Sequence, residues 1–296
     1  MMKKIILLVS LSVMTLFAKE TLLDSILKNV SIVNVNDTIK NAQILQKNYN
    51  AKNFKNFIIS WKKVEAFYFA GDIDENYLDT PRYIDVFHNL KENLNEQMQR
   101  VIDSKDEPQI ALFKHSFKTV NALEYVLFND NTITKREKEL ANVITNTIIS
   151  NLEDIKSAYE EYLSRDKKDE QWENGLIMNA LISSTYKLKE LRIKVAKKEQ
   201  EYILSDNTYF AIEAILEANK EIIGNQSYYN FANMAKKSGA KKETVQAQTL
   251  LNNAIESLKN NPKDLYKAVN KLHVSYFLSL IEQLSITAKI LDADGD

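Results

Sequence analysis

Two acids stand where a helix should be greasy. Glu124 lies in NALEYVLF, three residues after Asn121 and so on the same helix face, with Val120 and Phe128 one turn to either side. Neither Lys nor Arg occupies i±3 or i±4 of Glu124. Burying an unpaired carboxylate costs on the order of several kcal/mol, so this group must meet a cation, ligate a metal, collect hydrogen bonds or take up a proton. A glutamate near a helix end can also reach water by its own length or pair with an arginine from another helix. Glu65, in WKKVEAFYFAG, repeats the situation among Val64, Phe67, Tyr68 and Phe69. It could pair with Arg82, or converge with Glu124 and Asp85 on one cation.

The histidines offer less. His88 follows Asp85 by three in YIDVFH, a spacing that on a helix gives a divalent metal one hard and one borderline ligand. A surface Asp85 with an unrelated His88 is the plainer reading. His115 precedes Glu124 by nine residues and is out of phase with it, and His273 between Leu272 and Val274 reads as a packing residue. With three histidines the chain forms no HExxH, Gly-rich phosphate loop or Ser-His-Asp order. The closing LDADGD has the look of a calcium loop's first half, but its Gly is misplaced and the later Glu is missing, so it reads as an acidic tail.

The elements that carry these residues are helices. Only 5 Gly and 3 Pro in 296 residues leave too little punctuation for a β-rich fold, so all-α is the expectation. A net charge of −1, from 39 basic and 40 acidic residues, gives no electrostatic footprint for nucleic acid. The periodicity predicts a first stripe from Leu22 to Val30, an irregular SIVNVND step, and helices from about Asp37 to Tyr49 and Asn53 to Ala70. A structureless, Asp-rich stretch follows from Gly71 to Tyr83, and then helices from Ile84 to Ile102, Pro108 to Phe128 and Thr134 to Leu163. SRDKKDE, residues 164–170, is the most polar break, placing a boundary between a bundle over 19–166 and a second over 167–296. Beyond it, helices are predicted at Asp169 to Lys198, Asp206 to Ile223, a short one through Asn233, Lys241 to Leu258, and Pro262 to about Leu291.

Residues 1–18 have two lysines, an apolar run and a small residue before Lys19, the form of a cleavable signal peptide. No other run approaches membrane length, so no transmembrane segment is expected in the mature chain. The absence of cysteine excludes a lipid-modified cysteine, disulfides and thiolate metal sites. A bacterial periplasm is the simplest destination.

SWKKVEAFYFAG, YID at Tyr83 to Asp85, NALEYVLF at Asn121 to Phe128, EYILSDNTYFAIEAILEANKEIIGN at Glu201 to Asn225 and the final DADGD together resemble the imelysin family, also called the peptidase M75 family. The resemblance implies an exported, all-helical protein of two bundle-like domains with a site near their junction. The family hallmark is Gly-x-His-x-x-Glu. Here Glu124 matches the Glu, but Asn121 stands in the place of the His and Thr119 in that of the Gly. An amide is a poor substitute for imidazole as a zinc or iron ligand.

A zinc peptidase needs about three good protein ligands, an open position and a general base. Asn121 and Glu124 do not supply them. The resemblance therefore points to a non-catalytic accessory of bacterial iron uptake. It would bind iron, another divalent cation or a metal complex in a cleft of Glu65, Asp85, His88, Asn121 and Glu124, with iron-uptake components or redox proteins as partners. The alternatives are a metallopeptidase that recruits His88 or His115, and a helical protein-interaction scaffold in which Glu124 is salt-bridged.

Overall fold

The computed structural model describes residues 20–86, 93–166 and 168–287, and among them every regular element is helical. Residues 1–18, read above as a signal peptide, His88 and the LDADGD tail lie outside the described residues. The chain enters α1 (Leu22–Ile26) through a capping box in which Thr21 and Asp24 satisfy each other's backbone N–H. A π-helical turn, Leu27–Ser31, carries it without a break into α2 (Ile32–Lys47). The expected irregular step at SIVNVND is thus helical. Burial decides it: Val30 and Val35 lie in the core, Thr38 bonds back to the Asn34 carbonyl at 2.7 Å, and the Asn34 amide donates to Glu221 at 2.8 Å.

Asn50 caps α3 (Ala51–Ala66), which buries Phe54, Phe57, Ile58, Trp61 and Val64 on one face. The stretch from Gly71 to Tyr83 is more ordered than its composition suggests. It contains α4 (Ala70–Ile73), a 3₁₀ turn at Glu75–Tyr77 and α5 (Thr80–Ile84). Gly71 sits inside α4 because a Cβ there would come within 2.9 Å of the Leu78 Cα, a close approach only glycine permits.

No helix starts at Ile84. α5 ends there, and Asp85 is extended (φ −144°, ψ 122°). Asp85 therefore does not open a helix that could align it with His88. Beyond it, α6 (Leu94–Asp103) starts at an Asn93 cap.

The helix expected from Pro108 to Phe128 is three pieces: α7 (Pro108–Ala111), a 3₁₀ turn at His115–Lys118, and α8 (Val120–Phe128). Lys114 and Thr119 are extended, and the Thr119 side chain caps the Ala122 N–H. An all-apolar helix here would have had to bury Ile110 and Phe113. The breaks leave both exposed, while Val120, Leu123 and Val126 stay in the core.

α9 (Lys135–Leu163) is the long amphipathic helix the pattern predicts, opened by a Thr134–Glu137 capping box. α10 (Glu170–Lys187) follows, prolonged by a π turn at Leu188–Ile193. Then come α11 (Thr208–Ile223), α12 (Phe231–Lys237), α13 (Lys241–Asn260) and α14 (Leu265–Val274). A third π turn, Ser275–Leu280, leads into α15 (Ile281–Leu284), stopped by left-handed Ser285 (φ 52°), short of the expected Leu291.

One cluster of buried apolar side chains runs from Leu22 to Leu280 and takes residues from both sides of the polar 164–170 break. The first helix is tied to the start of α10. Glu173, fully buried, accepts from the Leu23 N–H at 3.3 Å and the Tyr162 hydroxyl at 2.7 Å, and Lys168 pairs with Asp24. α3 packs against α2 on one side and α11 on another, which brings Glu65 to residues far along the chain.

Candidate functional site

The acids gather on Lys62. Three residues before Glu65 on α3, it is fully buried and spends all three ammonium protons on carboxylates. It donates to Glu65 Oε2 at 2.7 Å, to Asp85 Oδ2 at 2.9 Å and to Glu201 Oε1. Arg192 closes the other side. Its Nη2 donates to both Glu65 oxygens at 2.9 and 3.0 Å, and its Nε donates to Glu201 Oε2 at 2.9 Å. Burial works to lower the Lys62 pKa, but Asp85, Glu201 and Glu65 outweigh it and hold the ammonium above the ordinary lysine value. Burial likewise works to raise Glu65, but Arg192 and Lys62 hold that carboxyl below its usual range.

Local structure explains the convergence. The extended backbone at Asp85 turns its carboxylate inward, where Oδ2 also accepts from Trp61 Nε1 at 3.0 Å and the Tyr202 hydroxyl at 2.6 Å. The π turn at Leu188–Ile193 carries buried Arg192. π turns recur at functional positions because the extra residue re-aims side chains that an α-helix would direct elsewhere. Glu201 to Asp206 form a tight turn with two non-glycine residues in the left-handed region, Tyr202 (φ 54°) and Asp206 (φ 56°). Such a backbone costs on the order of 1 kcal/mol per residue and persists where its surroundings over-determine it. Here the Tyr202 hydroxyl is fixed by Asp85, and its ring stands edge-on to Phe54 at 6.5 Å.

Glu124 sits beside this cluster without joining it. Its Oε1 accepts from the Ser205 N–H at 2.9 Å and the Ser205 hydroxyl at 2.6 Å. Among the described residues no Lys or Arg forms a salt bridge with it. Burial raises its carboxyl to about 7; Ser205 pulls the other way, while Glu201 and Asp85 add to the rise. Asn121, where the motif histidine belongs, accepts at Oδ1 from the Val86 N–H at 2.9 Å and so fixes the strand-like segment that carries Asp85.

Glu65, Asp85, Asn121 and Glu124 therefore fall in one neighbourhood, whereas His115 lies exposed against the Tyr83 ring at 5.0 Å. Burial pushes His273 down to about 4, and it stacks on Phe277, the packing role expected of it. Arg82 pairs with Asp79 at 3.5 Å instead of Glu65.

The donor set decides whether a metal fits. Among the described residues, one group of possible ligands closes to within 4.8 Å: Glu65, Asp85 and Glu201. These are the carboxylates that hold Lys62, so the place a cation would take is filled by an ammonium of the chain itself. No imidazole joins them among the described residues. This donor set does not fit a catalytic zinc or iron.

Lys62, Arg192, Glu201, Tyr202 and Ser205 were not among the residues expected from the sequence. Lys62 was legible as the i−3 partner of Glu65, and Glu201 to Ser205 open one of the stretches that carried the resemblance. Arg192, in LKELRIK, has no such signal.

The family model for imelysin, peptidase M75, matches residues 37–285. No curated protein matches the sequence. The crystal structure of an imelysin-like protein from Psychrobacter arcticum 273-4 superposes with a TM-score of 0.71 at 13% identity, over 90% of this chain and 96% of that one, a likeness of fold. With the family model spanning most of its length, the chain belongs to the imelysin family.

Proposed function

We propose that this protein is a non-catalytic imelysin-like accessory of bacterial iron uptake, exported to the periplasm. In this reading it binds a metal complex or a partner of that machinery and does not hydrolyse peptides. The observation that carries the non-catalytic part is the fate of the motif. Asn121 replaces the histidine and spends its oxygen on Val86, and each of the nearby carboxylates Glu65, Asp85 and Glu201 is already paired with Lys62, Arg192 or both. A bare ion would have to displace a triply bonded buried ammonium. A chelated metal brings its own donors and asks of the protein only fixed charges and hydrogen bonds. The exported location rests on the signal-like residues 1–18, and the iron-uptake context on the family.

Calorimetric titration with ferrous, zinc and cupric ions and with ferric citrate tests this. Free ions are expected to bind no tighter than roughly millimolar, a binding free energy of about 4 kcal/mol, and ferric citrate more tightly. Asn121→His, which restores the motif residue, should still bind no zinc. It should instead lose about 1–3 kcal/mol of stability, because the Val86 N–H loses its acceptor. Micromolar zinc binding by either chain, or peptide hydrolysis, would overturn the reading.

The internal pairing of Lys62 and Arg192 with carboxylates also favours a second reading, a helical scaffold that binds protein partners. Failure of every metal form to bind would select it.

A further inference from the structure

Surface lysines such as Lys156 and Lys194 find an acid one turn away, at Glu160 and Glu190. Lys47 and Lys138 do not. No Asp or Glu stands at i±3 or i±4 of either, and neither forms an ion pair among the described residues. Both line a hollow of about 530 Å³ between the end of α2 and the start of α9. Lys135, Lys138, Glu139 and Asn142, spaced i, i+3, i+4 and i+7, lay one face of α9 along it, and Lys47, the last residue of α2, closes it from the other helix. Three ammoniums thus share the hollow with one carboxylate, Glu139, which pairs loosely with Lys135 at 3.8 Å. The neighbouring acids are committed elsewhere: Glu137 is buried and accepts from Asn129 and Thr134, and Asp130 accepts from Thr132. The walls are held in place. Gln46 Nε2 donates to Asn142 Oδ1 at 2.8 Å and to Asn146 Oδ1 at 2.7 Å, and the Asn48 carbonyl accepts from the Asn50 and Asn53 amides at 3.2 and 2.8 Å.

We propose that this hollow is a binding site for a small hydroxylated organic dianion, the chemistry that a sugar phosphate and a hydroxy-dicarboxylate share. Three lysines against one glutamate leave two positive charges for the ligand to answer. The volume falls within the roughly 300–1,000 Å³ of sites that take small molecules. Both hydrogens of the Gln46 amide are spent on asparagines, so its Oε1 is left to accept, and Asn142, which accepts through Oδ1, keeps its Nδ2 hydrogens to donate. A hydroxyl both donates and accepts, and so suits that pair. An inorganic ion would engage the lysines alone and leave the amides and the half-buried Tyr49 wall without a role. The hollow shares no residue with the Lys62 cluster, so the inference does not depend on what that cluster binds.

Titration of the purified chain at low salt with glucose 6-phosphate, tartrate, glucose and inorganic phosphate, followed by backbone-amide NMR shifts, tests it. At least one organic dianion is expected to bind at roughly millimolar or tighter and to move the signals of residues 46–49 and 135–142, and the tighter of the two names the source, phosphate ester or carboxylate. Glucose should move none of them, and inorganic phosphate should bind about fivefold or more weakly than the better dianion. Binding should weaken as salt is raised, because the lysines are exposed. Lys47→Gln and Lys138→Gln should each weaken it about fivefold, the upper end for one exposed ion pair, with unchanged helicity. Glu139→Gln should tighten it by a similar factor, since the change removes the opposing charge and releases Lys135. Lys156→Gln, on the same helix outside the hollow, should leave it unchanged. Failure of both dianions to move these signals, equal binding of inorganic phosphate, or affinity that survives Lys47→Gln and Lys138→Gln overturns the proposal.

Discussion

Replacing Lys62 by Met should lower the stability of the protein by about 3–5 kcal/mol at neutral pH, the scale for removing one partner of a buried ion network. The methionine nearly fills the space, so the loss is electrostatic. Asp85 and Glu201, both buried, and half-buried Glu65 would face one another with Arg192 as the remaining cation in the network. The variant's pH dependence separates this cause from a packing defect. Without the ammonium, the carboxylates hold protons more tightly folded than unfolded, so acidification from pH 7 toward 5 should recover part of the loss. Equilibrium urea unfolding at several pH values reads both effects. A variant within about 1 kcal/mol of the parent at pH 7 would show that the cluster is not the electrostatic keystone argued for it.

Glu124→Gln should do the opposite at high pH. The folded carboxyl titrates at about 7 against an ordinary value of 4.5, so between those values the folded chain holds a proton that the unfolded chain has lost. Stability from this group is therefore intact below about pH 4.5 and falls as pH rises to about 7. The difference of about 2.5 units at ~1.36 kcal/mol per unit makes the fall on the order of 3 kcal/mol. Glutamine keeps an oxygen for the Ser205 N–H and hydroxyl and cannot ionise beside Glu201 and Asp85. The variant should gain up to ~3 kcal/mol over the parent at pH 8 and match it near pH 4.5. Parallel stability curves across that range would mean that Glu124 stays ionised throughout, with a partner that neutralises it.

These two residues mark how far the sequence could be read. The isolation of Glu124 followed from its local neighbours, because a missing i±3 or i±4 cation is a property of one helix. What answers that isolation, Ser205, lies 81 residues away in a turn whose left-handed backbone has no sequence signature. For Glu65 the missed partner was local: Lys62 was readable as charged but not as buried, since a lysine in WKKVE looks like any solvated face. Helix type and the long amphipathic spans were legible from periodicity. The breaks at Asp85 and around Lys114 to Thr119 were not, because tertiary burial decides which of several apolar residues turn inward. Arg192 depends on a π turn, which shifts the register that pattern reading assumes.

The tether of the first helix sets an order of events as the chain is made. Leu23 and Asp24 find Glu173 and Lys168 about half the protein later, so a polypeptide emerging amino end first cannot dock its opening segment until the start of α10 has followed. The contact that ties down the first helix is therefore withheld until the start of α10 has been made.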